Sequence, residues 1–237
     1  MNDPFGAAVK DYQYSFFNWK KKIRVYSSIS GREAIPLKHL FRNYHQMPEI
    51  EKTALSSCSG KILDVGACAG SHALHLQSIG ANVTALEISP GCCEVMHKRG
   101  VRNVICADIY DYSGEKFDSI LLLMNGIGIA GTISGLEKLL MHLKSLLNPG
   151  GKIIFDSSDI DYAFYEADGS KWVDLNKSYY GEVQYTLAYK NIRGKPFNWL
   201  FIDSKKMEEI AHKNQFSFSM LAEGNHYDYL GLLKPKN

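Results

Sequence analysis

Residues 62–72 read Ile62-Leu63-Asp64-Val65-Gly66-Ala67-Cys68-Ala69-Gly70-Ser71-His72, and this stretch decides the fold. A short apolar run ends in an acid, small residues follow, and a helical pattern opens at Ser71. Small side chains let backbone amides approach a ligand closely, and the positive end of the helix dipole favours an anion there. The spacing predicts a strand over Lys61–Val65 and a helix over Ser71–Ile79 closed by Gly80.

The alternation repeats downstream. Asn82–Ile88 reads as a second strand, followed by a helix with Ser89 as N-cap, Pro90 in its first turn and Gly100 past its end. Asn103–Cys106 and Phe117–Met124 read as third and fourth strands. Ser134, with Glu137 three residues on, predicts a capping box. In that helix Leu136, Leu139, Leu140, Leu143, Leu146 and Leu147 share one face. Asn148-Pro149-Gly150-Gly151 ends the helix before a fifth strand, Lys152–Phe155. Such alternation makes parallel β-α-β units, and the nearly all-apolar strands imply a sheet covered on both faces. The expected fold class is α/β, a doubly wound, mostly parallel sheet with ligands beyond the carboxyl ends of its strands.

Around this frame lie two additions. Asp3 as N-cap and Pro4 open a first helix, expected to carry Tyr12, Tyr14, Phe16, Phe17 and Trp19 and to end in Lys20–Lys22. Its aromatics are expected to pack, or to close over a small-molecule pocket. Leu37–Tyr44 and Pro48–Ser57 read as two further short helices. Later, Tyr180–Tyr189 and Phe197–Ile202 flank the turn-prone Asn191-Ile192-Arg193-Gly194-Lys195-Pro196, which predicts an inserted antiparallel hairpin. A helix over Ser204–Lys213 and strands over Phe216–Leu221 and Tyr227–Leu233 close the sheet at seven strands. The expected organisation is an N-terminal helical cap or lid over 1–56 and a sheet domain over 57–237. Within the latter, 157–203 is the inserted lid and 204–237 the closing helix and strands.

The 237 residues are 45% hydrophobic and 22% charged with a net charge of +2, which excludes disorder and gives no footprint for a nucleic-acid backbone binder. The five cysteines form no C-x-x-C pair, so reduced thiols in a cytoplasm are expected rather than a disulfide framework or zinc knuckle. The N-terminus lacks the basic start and apolar core of a secretory signal. No run approaches the roughly 20 apolar residues of a membrane span, so no membrane partner is expected.

Glu87 ends the second strand 17 positions after Gly70 (87 minus 70), where a carboxylate can accept both hydroxyls of a ribose. Asp108 follows the third strand, within reach of a purine. A dinucleotide enzyme would want G-x-G-x-x-G; here Asp64 precedes glycines at 66 and 70. The loop, Glu87, Asp108 and the Leu146-Leu147-Asn148-Pro149-Gly150-Gly151 turn together resemble the class I S-adenosylmethionine-dependent methyltransferases, whose first motif reads D/E-x-G-x-G-x-G. The resemblance covers roughly residues 48–156 and the closing strands. It implies a Rossmann-like sheet and S-adenosylmethionine as cofactor, with S-adenosylhomocysteine as product. It also implies that Asp64, Gly66, Ala67, Gly70 and His72 hold the methionine part. Glu87 would take the ribose hydroxyls, with Ile88 against the adenine. Asp108 would meet the exocyclic amine, with Ile109 beside it, and Met124 and Asn125 would line the floor between cofactor and acceptor. Cys68 replaces the family's middle glycine, as packing or as a reactive thiol near a helix start.

The acceptor is less legible. Met124-Asn125-Gly126-Ile127-Gly128 lacks the N/D-P-P-Y/F motif of the amino-methylating DNA and protein-glutamine enzymes. Asp156, Asp159 and Asp161 resemble the carboxylates of the metal-dependent catechol-type enzymes but are expected to be solvated or capping, with no metal bound. Tyr162, Phe164, Tyr165, Trp172, Tyr179 and Tyr180 fit the wall of a small-molecule pocket or the insertion's own core. His226 and Tyr227 are the candidate bases, with His72 a third. The expected function is methylation of an O or N atom of a small molecule by a cytoplasmic monomer or homodimer. The alternatives are a catalytically silent cofactor-binding partner or sensor and a nucleotide-dependent oxidoreductase.

Overall fold

Asp3 caps α1 (Pro4–Tyr14) by accepting a hydrogen bond from the Gly6 amide at 2.7 Å. The structure, a computed structural model, describes residues 2–165, 168, 170 and 179–236; Trp172 lies outside them. Helix α1 stops short of the lysine run. Ser15 is extended, and Lys21 donates to both the Asp11 carboxylate (2.6 Å) and the Ser15 hydroxyl (2.5 Å), which pins the chain reversal. Phe16, Phe17 and Trp19 therefore fall beyond the helix and are exposed rather than packed. Tyr12 does pack, stacking on Phe41 at 4.4 Å.

The cap is less helical than its sequence led us to expect. It holds a hairpin of β1 (Lys22–Ser27) and β2 (Gly31–Pro36), then two short 3-10 turns and α2 (Glu49–Ser56). Buried Ile23 and Val25 alternate with Lys22 and Arg24, a period-two pattern that only a strand satisfies. The main sheet then builds from β3 (Lys61–Val65), α3 (Ser71–Ser78), β4 (Asn82–Glu87), α4 (Pro90–Arg99), β5 (Val104–Cys106) and β6 (Phe117–Leu122). It continues through α5 (Ile133–Ser145) and β7 (Leu147–Ser158). The remaining elements are β8 (Glu182–Tyr189), β9 (Ile192–Arg193), β10 (Phe197–Leu200), α6 (Ser204–Lys213), β11 (Phe216–Glu223) and β12 (Asp228–Pro235).

The main sheet has seven strands in the order β11-β12-β7-β6-β3-β4-β5. The run β7 to β5 is parallel, and β12 and β11 are antiparallel. Successive residues face opposite sides. Leu63, Ile120 and Phe155 pack with Leu136 and Leu140 of α5 and Met207 of α6, while Ile62, Leu121 and Ile154 pack with Ile50 of α2 and Leu76 of α3. Thr132, not Ser134, caps α5, its hydroxyl accepting from the Gly135 amide at 3.0 Å.

The inserted hairpin forms as expected, β10 antiparallel to β8, but it does not join the main sheet. It pairs with the cap in a second sheet of order β10-β8-β1-β2, with β9 on β8. Val25 lies opposite Leu187, so the two added segments meet as one layer.

Candidate active site

Strands β3 and β4 end side by side, and the amides of Gly66 and Ala67 bond the Leu86 carbonyl at 2.8 and 3.2 Å. This pulls the following loop back across the strand ends. Gly66, Cys68 and Gly70 all have positive φ, at 73°, 52° and 78°. A Cβ on Gly70 would lie 2.8 Å from a Val101 methyl, so position 70 requires glycine twice over.

The Glu87 carboxylate is oriented by two amides, Cys68 donating to Oε2 and Ser89 to Oε1, each at 2.9 Å. Burial raises its pKa while those amides oppose the rise. Each oxygen retains lone-pair capacity for a ribose hydroxyl. Ile88 stands exposed beside it and Ile109 is buried. Asp108 is half-buried, with Oδ1 accepting from the Tyr110 amide at 3.0 Å.

Behind the loop lies a buried ionic cluster. Asp64 is buried, which raises its pKa against the pull of His72, and its Oδ2 has no hydrogen-bond partner among the described residues. His72 Nε2 lies 3.0 Å from Glu51 Oε2, and the other Glu51 oxygen takes the Arg42 guanidinium. Burial lowers the His72 pKa, but Glu51 and Asp64 outweigh it and hold the ring above its usual value. Asp156 belongs to the same cluster. Burial pushes it up to about 7, with the Asn125 amide (2.8 Å) and His72 opposing. It is not the solvated acid expected, because on β7 it shares the α2–α3 side with Ile154, within electrostatic reach of Glu51 and His72.

With all five groups charged, two cations face three anions, leaving room for one more cation. Asp64 Oδ2 is an orphan acceptor, and Arg42 Nε is an orphan buried donor. In charge, Asp64 Oδ2 suits an ammonium and Arg42 Nε a carboxylate, the two ends of an amino-acid group. Arg42 and Glu51 sit ahead of the loop with no motif to mark them, so the sequence offered no signal for either.

Met124 and Asn125 both have positive φ, and Met124 is partly exposed at the end of β6. Asn125 does not offer its side chain to the floor. Its Nδ2 donates to the Leu200 carbonyl at 3.2 Å and its Oδ1 accepts from Ser157 Oγ at 3.0 Å, bolting β10 to β7. Beyond β7 and before β12 opens a depression of about 390 Å³ lined by Asp159, Asp161, Tyr162, Tyr165 and Tyr227. The rings of Tyr162 and Tyr227 stack at 4.9 Å. Asp159 Oδ1 accepts from the Tyr180 hydroxyl at 2.7 Å, so Tyr180 backs this wall while Phe164 is buried behind it. Tyr179 instead donates to Asp203 at 2.6 Å. His226 is exposed on the turn into β12 and does not line the depression. Among the described residues no three His, Cys, Asp or Glu side chains are grouped to hold a metal.

Residues 63–155 match the family model of a methyltransferase domain. A crystal structure of a SAM-dependent methyltransferase from Bacteroides fragilis, in complex with S-adenosyl-L-homocysteine, is 43% identical. The alignment covers 100% of this chain and 96% of that one, with a TM-score of 0.91. The chain belongs to the S-adenosylmethionine-dependent methyltransferases. Two more distant folds agree with the architecture of this methyltransferase. One is an S-adenosylmethionine-dependent methyltransferase from Clostridium acetobutylicum (15% identity, 85% and 95% covered, TM-score 0.57). The other is the sugar N-methyltransferase KedS8 from Streptoalloteichus (15%, 84% and 92%, 0.57). No curated protein gave a match. The methyltransferase uses S-adenosylmethionine, and among its described residues no helix is long and apolar enough to cross a membrane.

Proposed function

We propose that this methyltransferase methylates an O or N atom of a small molecule seated in the depression beyond the carboxyl end of β7. The observation that carries the reading is the depression itself. Its volume of about 390 Å³ lies within the roughly 300–1,000 Å³ usual for small-molecule pockets. It opens at the carboxyl end of β7, where ligands of such sheets sit. We assign the strands β1 and β2 of the first segment and β8 to β10 of the second as its lid, since they share one sheet. A lid of this kind excludes water and favours a narrow acceptor over a folded macromolecule.

When bound, S-adenosylmethionine supplies an electrophilic methyl on its sulfonium. Asp64 and Arg42 hold the amino-acid end through their orphan atoms, and Glu87 holds the ribose. Ile88, Asp108 and Ile109 frame the adenine, as the family resemblance implies. Tyr162 and Tyr227 present aromatic faces to the acceptor. In-line methyl transfer asks mainly that two reactants be oriented. A base is needed only for a hydroxyl or protonated amine; of the three expected candidates, Tyr227 lines the depression, while His226 does not and His72 is buried against Glu51. The setting we assign is a reducing cytoplasm, supported by five cysteines without a disulfide.

The test is a methyl-transfer assay with labelled S-adenosylmethionine against a panel of small hydroxyl and amine acceptors, with protein and nucleic acid in parallel. Label moving to a small acceptor supports the reading. Label moving only to the macromolecules overturns it.

A further inference from the structure

Four of the five cysteines surround Glu87. The Cys68 amide donates to its carboxylate at 2.9 Å, and the Cys93 thiol donates to its carbonyl at 3.4 Å. Cys106 is its ladder partner on β5. The Cys92 amide donates at 3.1 Å to the Ser89 hydroxyl, one residue's amide from the same carboxylate. Two of them also share a packing site. Cys68 packs against the apolar cluster in which Cys92 sits with Val9, Ala69 and Val95. Cys92 is fully buried, whereas Cys68 is half-buried on the loop that cradles the cofactor. Arg99, whose guanidinium donates to the Ala69 carbonyl and the Ser71 hydroxyl, places a cation on the same loop as Cys68.

We propose that Cys68 and Cys92 form a redox modification site: a peroxide converts the pair to a disulfide, and the oxidised protein binds its cofactor weakly. The proposal rests on the cofactor reading above. One peroxide oxygen passes to the Cys68 sulfur, giving a sulfenic acid and a first water. The Cys92 sulfur then attacks, the S–S bond forms, and the sulfenic oxygen leaves with a proton and the thiol's own as a second water. The pair loses two electrons and the peroxide gains them. Contact with Cys68, together with burial, holds the Cys92 thiol well above its usual pKa, so the closing step quickens as pH rises.

A disulfide holds its sulfurs about 2.05 Å apart, much closer than two thiols that merely pack together. Closure therefore draws the loop toward α4 and strains the Cys68 amide away from Glu87. Cofactor seated on the loop resists that movement, so binding and oxidation oppose each other.

The experiment treats purified protein with hydrogen peroxide, maps linked peptides by mass spectrometry, and titrates with S-adenosylhomocysteine by calorimetry. The expected result is a Cys68–Cys92 link with affinity lowered tenfold or more and restored by dithiothreitol. Prior saturation with S-adenosylhomocysteine slows the link, and C92A keeps its affinity through the same treatment. If C92A is unfolded by circular dichroism, C92S makes the comparison. No linked peptide, a Cys93–Cys106 link in its place, or unchanged affinity in the linked protein overturns the proposal. Reduced wild type that fails to bind sinks the cofactor reading and with it the effect on binding, while the peptide map still decides the pairing.

Discussion

His72 Nε2 and Glu51 Oε2 meet at 3.0 Å, tying the first turn of α3 to α2 on the far side of the cofactor loop. Because Glu51 also holds the Arg42 guanidinium, one carboxylate aligns two cations beside Asp64. Breaking one partner of a buried ionic group is costly, on the order of 3–5 kcal/mol, since the others stay buried without compensation.

Glu51→Ala should therefore lower both thermal stability and affinity for S-adenosylhomocysteine, the latter at least tenfold. Glu51→Gln, which keeps a hydrogen-bond acceptor, should recover part of each. Calorimetric titration and thermal melts of the two variants check this; wild-type affinity in Glu51→Ala contradicts it.

Stability should fall as pH rises from about 4 through neutrality. Asp156 has a folded pKa raised from 3.8 to about 7, so the native state binds its proton more tightly than the unfolded chain. That contribution is fully present below the unfolded value and is lost as pH passes the folded one. His72, also raised, has the same sign, present below 6.5 and lost above its folded value. Melting temperatures from pH 5 to 8 should decline in wild type and flatten in Asp156→Asn. An equal slope in both proteins would count against the buried placement of Asp156.

Tyr227→Ala should raise KM for the acceptor several-fold and leave S-adenosylhomocysteine affinity unchanged, because Tyr227 lines the depression and not the cofactor loop. His226→Ala should keep turnover within a few-fold of wild type, since His226 is exposed and lies outside that lining. Steady-state kinetics on an acceptor from the screen decide both, and a collapse of turnover in His226→Ala would restore it as a base.

The main sheet was legible because its signals are local. Lys61–Val65 and Ser204–Lys213 are found where periodicity and caps put them, as is the Ser89 cap of α4. Misses arose where a competing side-chain contact overrides the pattern. Thr132 outcompetes Ser134 because its hydroxyl reaches the Gly135 amide. The lysine run leaves α1 because Asp11 captures Lys21. In the site, Glu87 and the loop carry a motif, whereas Arg42, Glu51 and Asp156 gain their roles only when α2, α3 and β7 come together. Asn125 was legible as a special position, but not which way its side chain turns.

Turnover should be indifferent to chelation, because Asp156 accepts from the Asn125 amide and Asp159 from the Tyr180 hydroxyl and the Asp161 amide. Activity that collapses with a chelator and returns with magnesium would reverse this and bring Asp156, Asp159 and Asp161 back as ligands.

Whether the loop and Glu87 form the cofactor site is decided by titrating wild type and Glu87→Ala with S-adenosylhomocysteine. Wild type should bind in the micromolar range and the variant at least tenfold more weakly, about 1.4 kcal/mol or more. Equal affinity in the two proteins, or no binding by wild type, would contradict it.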